Sequence, residues 1–408
     1  MTLTTAAEPS LSAAHAAIVE AIDRAADELV EISRTIHANP EIRFQEHQAA
    51  RLLADALERH GCEVERGVAQ METAFLGWLR GQAAHPCVGL VCEYDALPGL
   101  GHGCGHNLIG TAAVAAILGL EAVRQQLGGT VVVMGSPAEE GGGGKIHLYE
   151  HGALRDVDLA LGVHPRGGKN FAATRPGTGS SLARAVLVIE FRGKAAHAAV
   201  NPQDGINALD ALVQTYTGIG VMRQQLRTDA RIHGIITHGG DAPNIIPAYA
   251  AARYYVRARD REYLAELEQK VRKIAEGAAL QAGASVEITN PEPTYEDTRP
   301  NLTLGRAFRR NMEALGMEVE DDDPQAGTAS TDFGNLSQRM PGVSAKFTIS
   351  GRTRVPGHSE ALREAAGSEQ GQQAMLTIAK AYAMTAFDVL NDPELVEEAR
   401  REFGTTTS

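Results

Sequence analysis

The order in which the apolar segments change their period constrains this chain more than any single residue does. Up to about residue 180, short apolar runs at Phe75 to Leu79, Val88 to Cys92, Val131 to Met134 and Leu159 to Val163 alternate with helix-like pieces such as Leu108 to Gln126. Strands alternating with helices point to an α/β layered domain with a largely parallel mixed sheet flanked by helices. After about Ser180 the grammar changes. Ala185 to Phe191 reads as a strand, Gly205 to Gln225 as a helix, Ile232 to Thr237 and Ala248 to Arg257 as strands, Arg261 to Gln281 as a helix and Ser285 to Thr289 as a strand. That β-α-β-β-α-β order matches a ferredoxin-like α+β unit, compact enough to be an inserted domain. Beyond Pro300 the α/β style resumes, with a helix near Leu302 to Leu315, a strand at Ser344 to Ile349 and a long helix from Ser368 to Leu390. The expected organisation is a discontinuous α/β domain over residues 1–180 and 297–408, interrupted by a second domain over 181–296. At the amino end, Ser12 to Ile36 has the periodicity of one helix, and Glu46 to His60 that of a second, stopped by Gly61.

A length of 408 residues agrees with two domains, at about 150 residues each as a prior. Hydrophobic residues at 43% and charged residues at 22% suit a globular chain and argue against disorder. A net charge of −13, with no basic stripe, disfavours nucleic acid as a partner. The longest apolar stretch, Leu108 to Leu120, falls short of the ~20 residues that a membrane span needs, so it reads as a buried helix and no membrane partner is expected. Met1 to Ser10 carry no basic segment followed by an apolar core, so no secretory signal is expected and the cytoplasm is the default. Four cysteines are too few and too irregularly spaced for a disulfide framework, and Cys62, Cys87 and Cys92 read as core packing. The acidic run Asp321-Asp322-Asp323 reads as a solvated loop.

Chemistry concentrates elsewhere. The glycine-crowded turn Gly101-His102-Gly103-Cys104-Gly105-His106-Asn107 brings a thiol and an imidazole together, and glycine lets both converge on a cation without strain. Glu139-Glu140 follow the strand-like Val131 to Met134, His164 closes the run Leu159 to Val163, and His358 follows Pro356-Gly357. Donors of mixed nitrogen, sulfur and oxygen type suit zinc or a similar transition metal. Gly141-Gly142-Gly143-Gly144-Lys145 imitates a phosphate loop, but Glu139 stands where its first glycine belongs and Ile146 replaces the hydroxyl residue, which argues against nucleotide binding. No His-Glu-x-x-His or Gly-x-Ser-x-Gly motif occurs, so single-zinc protease and serine hydrolase readings lose support. His37, His102, His147 and His238 read as structural or solvent-facing.

Three motifs carry a resemblance: Gly103-Cys104-Gly105-His106-Asn107-Leu108, Pro137-Ala138-Glu139-Glu140 with Gly142-Gly143-Gly144-Lys145-Ile146, and Ser330-Thr331-Asp332-Phe333-Gly334-Asn335. With them the chain resembles the aminoacylase and carboxypeptidase family of co-catalytic metallopeptidases. It is most similar to the cysteine-containing amidohydrolase branch, with p-aminobenzoyl-glutamate hydrolase and the Xaa-Arg dipeptidases. The likeness runs from His37-Ala38-Asn39-Pro40-Glu41 to Glu364-Ala365-Ala366-Gly367-Ser368. It implies a metal-binding catalytic domain interrupted by a lid that also mediates dimerisation. It further implies that Cys104, His106, Glu140, His164 and His358 hold two divalent metal ions, with zinc favoured and manganese or cobalt as alternatives, and that Glu139 is the general base. Where other branches place a His-x-Asp motif this chain has Glu93-Tyr94-Asp95, so Asp95 is expected to orient a ligand from behind. In the lid, His197 would stabilise the developing oxyanion in a neighbouring subunit's site and Asn244 would contact substrate. Arg253, Arg257, Arg352 and Arg354 are all candidates to grip a substrate carboxylate.

Two function classes follow. One is a metal-dependent hydrolase that cuts the amide bond of a dipeptide or N-acyl amino acid as a homodimer. The other is a non-catalytic, metal-stabilised binding or scaffolding protein of the same fold. Glu139 discriminates between them, because a scaffold has no need of a base beside a complete ligand set.

Overall fold

The computed structural model describes residues 11–321 and 329–405. The stretch Met1 to Ser10, and Asp322 and Asp323 of the acidic run, lie outside the described residues. Among the described residues twelve strands follow in chain order: β1 Glu63–Arg66, β2 Phe75–Arg80, β3 Cys87–Cys92, β4 Thr130–Gly135, β5 Leu159–Arg166, β6 Asn170–Phe171, β7 Ala183–Arg192, β8 Arg231–His238, β9 Tyr249–Ala258, β10 Ser285–Thr289, β11 Val319–Glu320 and β12 Gly342–Thr348. They form two sheets, one in each of two compact units.

The first unit, residues 11–180, 299–321 and 335–405, carries an eight-stranded mixed sheet in the order β1-β2-β4-β3-β5-β12-β6-β11. Its centre is parallel: β4 with β3, β3 with β5 and β5 with β12. Antiparallel pairing enters through β1, β2 and β6. Strands covered on both faces read as unbroken apolar runs, and every residue of β3 and β4 is buried. The helix His106–Glu121 is buried on every side except its last residue. Its all-round apolar sequence His-Asn-Leu-Ile-Gly-Thr-Ala-Ala-Val-Ala-Ala-Ile-Leu is what an interior helix requires. Around it pack the helices Ala13–Arg24, Ala26–Ala38 and Glu369–Asn391, in one continuous apolar core. Tyr382, on the last of these, donates its buried hydroxyl to the Leu161 carbonyl of β5 at 2.7 Å, so the phenol adds apolar area without stranding a polar atom.

Two boundaries differ from the sequence expectation. The helix expected over Ser12 to Ile36 is two helices, broken at Ala25, whose φ of −97° and ψ of 8° leave the helical region. The apolar period survives the break because both pieces bury their stripes in the same core, Ile18 and Ile22 on one side and Leu29, Ile32 and Ile36 on the other. The helix expected to run to Gln126 stops at Glu121, followed by a separate 3-10 turn over Arg124–Gln126.

The second unit, residues 181–298 with 329–334, holds the antiparallel sheet β10-β7-β9-β8. Alternate residues Ala185, Leu187, Ile189 and Phe191 of β7 and Ala252, Tyr254 and Val256 of β9 join the apolar faces of the helices Ala208–Met222 and Arg261–Ala282 in its core. The other face carries Arg184, Glu190, Arg253 and Arg257 beside Val186, Val188 and Tyr255. Among the described residues of the chain, no helix is long and apolar enough to cross a membrane.

Candidate active site and metal centre

Five pieces of the first unit deliver the candidate side chains, three of them at the carboxyl ends of parallel strands, where sheets of this kind bind ligands. Glu93 and Asp95 follow β3, Glu139 and Glu140 follow β4, and His164 lies near the end of β5. Cys104 and His106 come from the glycine turn that opens the helix His106–Glu121. Gly105 there has φ of +77°, and a β-carbon on it would meet the Pro165 ring at 2.6 Å, so only glycine permits the approach. His358 arrives on a later loop, with its backbone N–H bonded to the Gly103 carbonyl at 3.0 Å. It has φ of +54°, a conformation that a non-glycine residue adopts at a cost and that clusters at functional sites.

These side chains converge. Three overlapping sets, Cys104 with His106 and His164, Cys104 with Glu140 and His358, and His106 with Glu139 and Glu140, each place their donor atoms within 4.8 Å of one another. Cys104 Sγ lies 3.5 Å from His164 Nε2, and Glu140 Oε1 lies 3.1 Å from His358 Nε2. Asp95 stands behind two of the donors. One carboxylate oxygen accepts the Nδ1 proton of His106 at 2.9 Å, and the other accepts the backbone N–H of Glu140 at 2.9 Å. His164 donates its own Nδ1 proton to the Pro165 carbonyl at 2.7 Å. Both rings therefore turn Nε2 toward the cluster, the arrangement that metal-ligating imidazoles need.

The charge balance asks for a cation. Burial alone would depress His106, yet the neighbouring Cys104 and Asp95 outweigh it and hold that imidazole well above its usual value. Hydrogen bonds that His358 donates to Cys104 and Glu140 raise its imidazole to about 10. Burial raises the Cys104 thiol, with the Glu140 charge adding to it, whereas burial and the Lys346 charge push His164 down to about 3. Glu140 is held below the carboxylate range because the His358 hydrogen bond and the His106 charge overcome its burial. Anions packed this way keep protons on their imidazoles unless a divalent ion supplies the positive charge and frees the lone pairs. His106 Nε2, fully buried, makes no hydrogen bond. Donor types, convergence and this orphaned atom all fit a metal centre.

Further charged residues of the first unit belong to the same surroundings and escaped the sequence reading. Buried Glu93 gives one oxygen to Lys145 Nζ at 2.7 Å and places the other 3.6 Å from His106 Nε2. Burial opposes its charge, but Lys145, His106 and His164 prevail and hold it down to about 2. A signal existed: residues two apart on an extended segment share a side, so an Asp95 facing the site implied the same of Glu93. Lys346 was invisible for another reason. It sits opposite His164 in the β5–β12 register, a pairing that only the topology discloses. The glycine run that imitates a phosphate loop forms the turn into the helix Gly144–Glu150, with Lys145 spent on Glu93.

His197 and Asn244 belong to the second unit, where an isolated bridge between His197 and Ile245 brings their loops together. Both are exposed. The His197 Nδ1 accepts the backbone N–H groups of Ala199 and Val200 at 3.2 and 3.3 Å, which makes Nε2 the outward-facing donor of the neutral ring. Of the four candidate arginines, Arg253 is bonded to Glu292, and Arg352 grips both oxygens of Glu318 at 2.6 and 2.5 Å. Arg257 donates to the neutral hydroxyl of Ser330 at 2.7 Å, and Arg354 is exposed. Cys62, Cys87 and Cys92 are buried free thiols. His102 is buried against the Ile36 carbonyl, and His37 bonds the Arg363 carbonyl.

The family model described as Peptidase family M20/M25/M40 matches residues 89–381. The chain is similar to the Xaa-Arg dipeptidase of Homo sapiens, 40% identical over 402 residues that cover 94% of this chain and 90% of the relative. It is similar also to one of the chains of the p-aminobenzoyl-glutamate hydrolase of Escherichia coli, 32% identical over 459 residues that cover 94% of each. Among solved structures, a dinuclear metal binding peptidase of the M20 family from Bacillus subtilis superposes with a TM-score of 0.65 at 22% identity, covering 90% of this chain and 99% of that one. An aminobenzoyl-glutamate utilization protein from Klebsiella pneumoniae does so with a TM-score of 0.69 at 18% identity, covering 90% and 97%. At such identities the structural likeness speaks for the fold.

Proposed function

From the premise that this chain belongs to peptidase family M20/M25/M40, we propose that it hydrolyses the amide bond of a dipeptide or an N-acyl amino acid with Glu139 as general base. Cys104, His106, Glu140, His164 and His358 would hold two divalent cations, zinc on this donor set with manganese and cobalt as alternatives, which when bound polarise the scissile carbonyl and acidify the attacking water. The observation that carries the reading is Glu139, 6% exposed, one residue from the ligand Glu140 and within the same cluster of donor atoms. Its carboxylate takes the proton of the attacking water and returns it to the leaving amine. Asp95 keeps His106 and Glu140 in register while this happens. A scaffold would need the ligands but not the base.

The second unit acts as the lid in this reading. His197 offers its Nε2–H to the developing oxyanion and Asn244 its amide to the substrate. Arg257 takes the substrate carboxylate in place of the other three arginines, because burial and the Arg184 charge both press on its own charge and an anion would relieve them. The active protein is a cytoplasmic homodimer in which each His197 serves the partner's site. Relatives that bear the names of a Xaa-Arg dipeptidase and a p-aminobenzoyl-glutamate hydrolase set the substrate range to be tried.

The deciding experiment strips the protein of metal, reloads it separately with zinc, manganese and cobalt, and follows cleavage of dipeptides, N-acyl amino acids and p-aminobenzoyl-glutamate. Cleavage that appears only after reloading is the expected result and identifies both sides of the scissile bond. Two bound metals with no cleavage across the panel would overturn the proposed substrate class.

A further inference from the structure

Glu46 is fully buried, 0% exposed, immediately before the helix His47–Arg59, and it lies outside every metal-ligand set. One carboxylate oxygen accepts two backbone N–H groups, from Phe44 and from Ala138, each at 2.9 Å. The other accepts the Thr73 hydroxyl at 3.0 Å. Both residues whose amides it holds are non-glycine residues in the left-handed region, Phe44 with φ of 61° and Ala138 with φ of 59°. That region is disfavoured for any residue with a β-carbon and persists where the surroundings enforce it.

Ala138 directly precedes Glu139. Its carbonyl accepts the N–H groups of Gly142 and Gly143 at 2.8 Å each, and the Glu139 carbonyl accepts that of Gly141 at 2.8 Å. A β-carbon on Gly142 would strike the Ala138 methyl at 2.4 Å and the Phe44 ring at 2.6 Å. Phe44, Ala138 and the glycine turn are thus one packed knot. The left-handed step at Ala138 sets the direction in which the chain leaves β4 and so the directions of the two consecutive glutamates.

We propose that Glu46 is a positioning residue for the reaction: by accepting the Ala138 amide it holds that residue in its left-handed turn, and so aims Glu139 while Glu140 keeps its ligand position. This rests on the reading of Glu139 as the base. Without the carboxylate, Ala138 can relax toward an ordinary conformation, and the base loses its aim.

The test compares Glu46→Ala, Glu46→Gln, Ala138→Gly and the Glu46→Ala/Ala138→Gly pair in the metal-loaded protein, reading kcat, KM, bound metal and thermal unfolding. Glu46→Ala is expected to lower kcat at least tenfold with KM and bound metal within twofold of wild type. Glu46→Gln keeps an acceptor oxygen for both amides and turns an NH2 toward the Thr73 hydroxyl, so it is expected to restore most of kcat. The distinguishing result is the pair: glycine adopts the left-handed turn unaided, so Ala138→Gly should recover kcat in the Glu46→Ala background. A pair as slow as Glu46→Ala, in a folded and metal-loaded protein, overturns the proposal. If Glu46→Ala does not fold, Glu46→Gln with and without Ala138→Gly gives the same comparison. Glu139→Gln run alongside separates the two readings. Retained turnover in Glu139→Gln removes the base itself, whereas lost turnover there with full turnover in Glu46→Ala removes only the role of Glu46.

Discussion

The candidate residues of the first unit and those of the second are held in opposite ways. Around Cys104 the side chains hold one another: Asp95 fixes His106 and the Glu140 backbone, His358 meets Glu140, and Cys104 meets His164. In the second unit His197 and Asn244 are exposed, and the imidazole is oriented by backbone N–H groups alone. A buried cluster must satisfy its own polar atoms, so its chemistry and its folding share the same residues. An exposed donor on a fixed loop carries no such obligation. Changes to the donor residues of the first unit, or to Asp95 behind them, should therefore register in metal binding as well as rate, and changes in the second unit in rate alone.

The largest effect belongs to Glu139→Gln, which keeps the shape but not the basicity and leaves the donors that fix the metal in place. Turnover should fall by about 10²–10⁴-fold with bound metal unchanged, as read by elemental analysis beside the amide assay. Equal turnover would take Glu139 out of the chemistry. Next comes His197→Ala, expected to cost about 10²–10³-fold in kcat with metal content intact. Mixing it with Glu139→Gln under subunit exchange should restore part of the activity if His197 serves the partner's site, and a variant that sheds metal instead would erase the contrast between the units. Asp95→Asn keeps one acceptor but turns an NH2 toward one of its two donors. It should weaken metal affinity about 10–100-fold while leaving the fold intact, measured by chelator competition. The smallest effect is on pH. Because His358 is raised to about 10 in the cation-free protein, it carries a proton at neutral pH that a metal must displace. Apparent affinity should thus rise with pH, by about tenfold per unit for each proton released, between about pH 6 and 8. Affinity independent of pH would mean that the ligands are already bare.

The same contrast explains what was legible in the chain. The parallel centre of the large sheet was readable because β3, β4 and β5 are covered on both faces and cannot hide their apolar runs. The β-α-β-β-α-β order of the second sheet was readable from the change of period, and the register β10-β7-β9-β8 follows it. Cysteine, histidine and paired glutamates between glycines advertise themselves by residue type, so the donor groups that the fold brings within 4.8 Å of one another stood out. Lys346 and Glu46 did not. A lysine on a strand and a glutamate before a helix are commonplace, and only the pairing of β12 with β5 and the fold of residues 44–46 onto Ala138 give them meaning. The short edge strands β6 and β11, two residues each, carry too little pattern to be seen.

The ends of the second unit's long segment are fastened to each other. Ser181 Oγ meets Thr298 Oγ1 at 2.7 Å and accepts the Thr298 N–H at 2.9 Å, while Arg184 and Tyr295 exchange backbone hydrogen bonds at 2.8 and 2.9 Å. Each doubling of a flexible loop costs about 0.6 kcal/mol in closure entropy, so roughly 120 loose residues would cost about 3 kcal/mol more than a tight turn of four. With its ends clasped, the segment presents the rest of the chain with the entropy of a hairpin. Such a segment behaves as a cassette: its length can change without lengthening the loop that the rest of the chain must close.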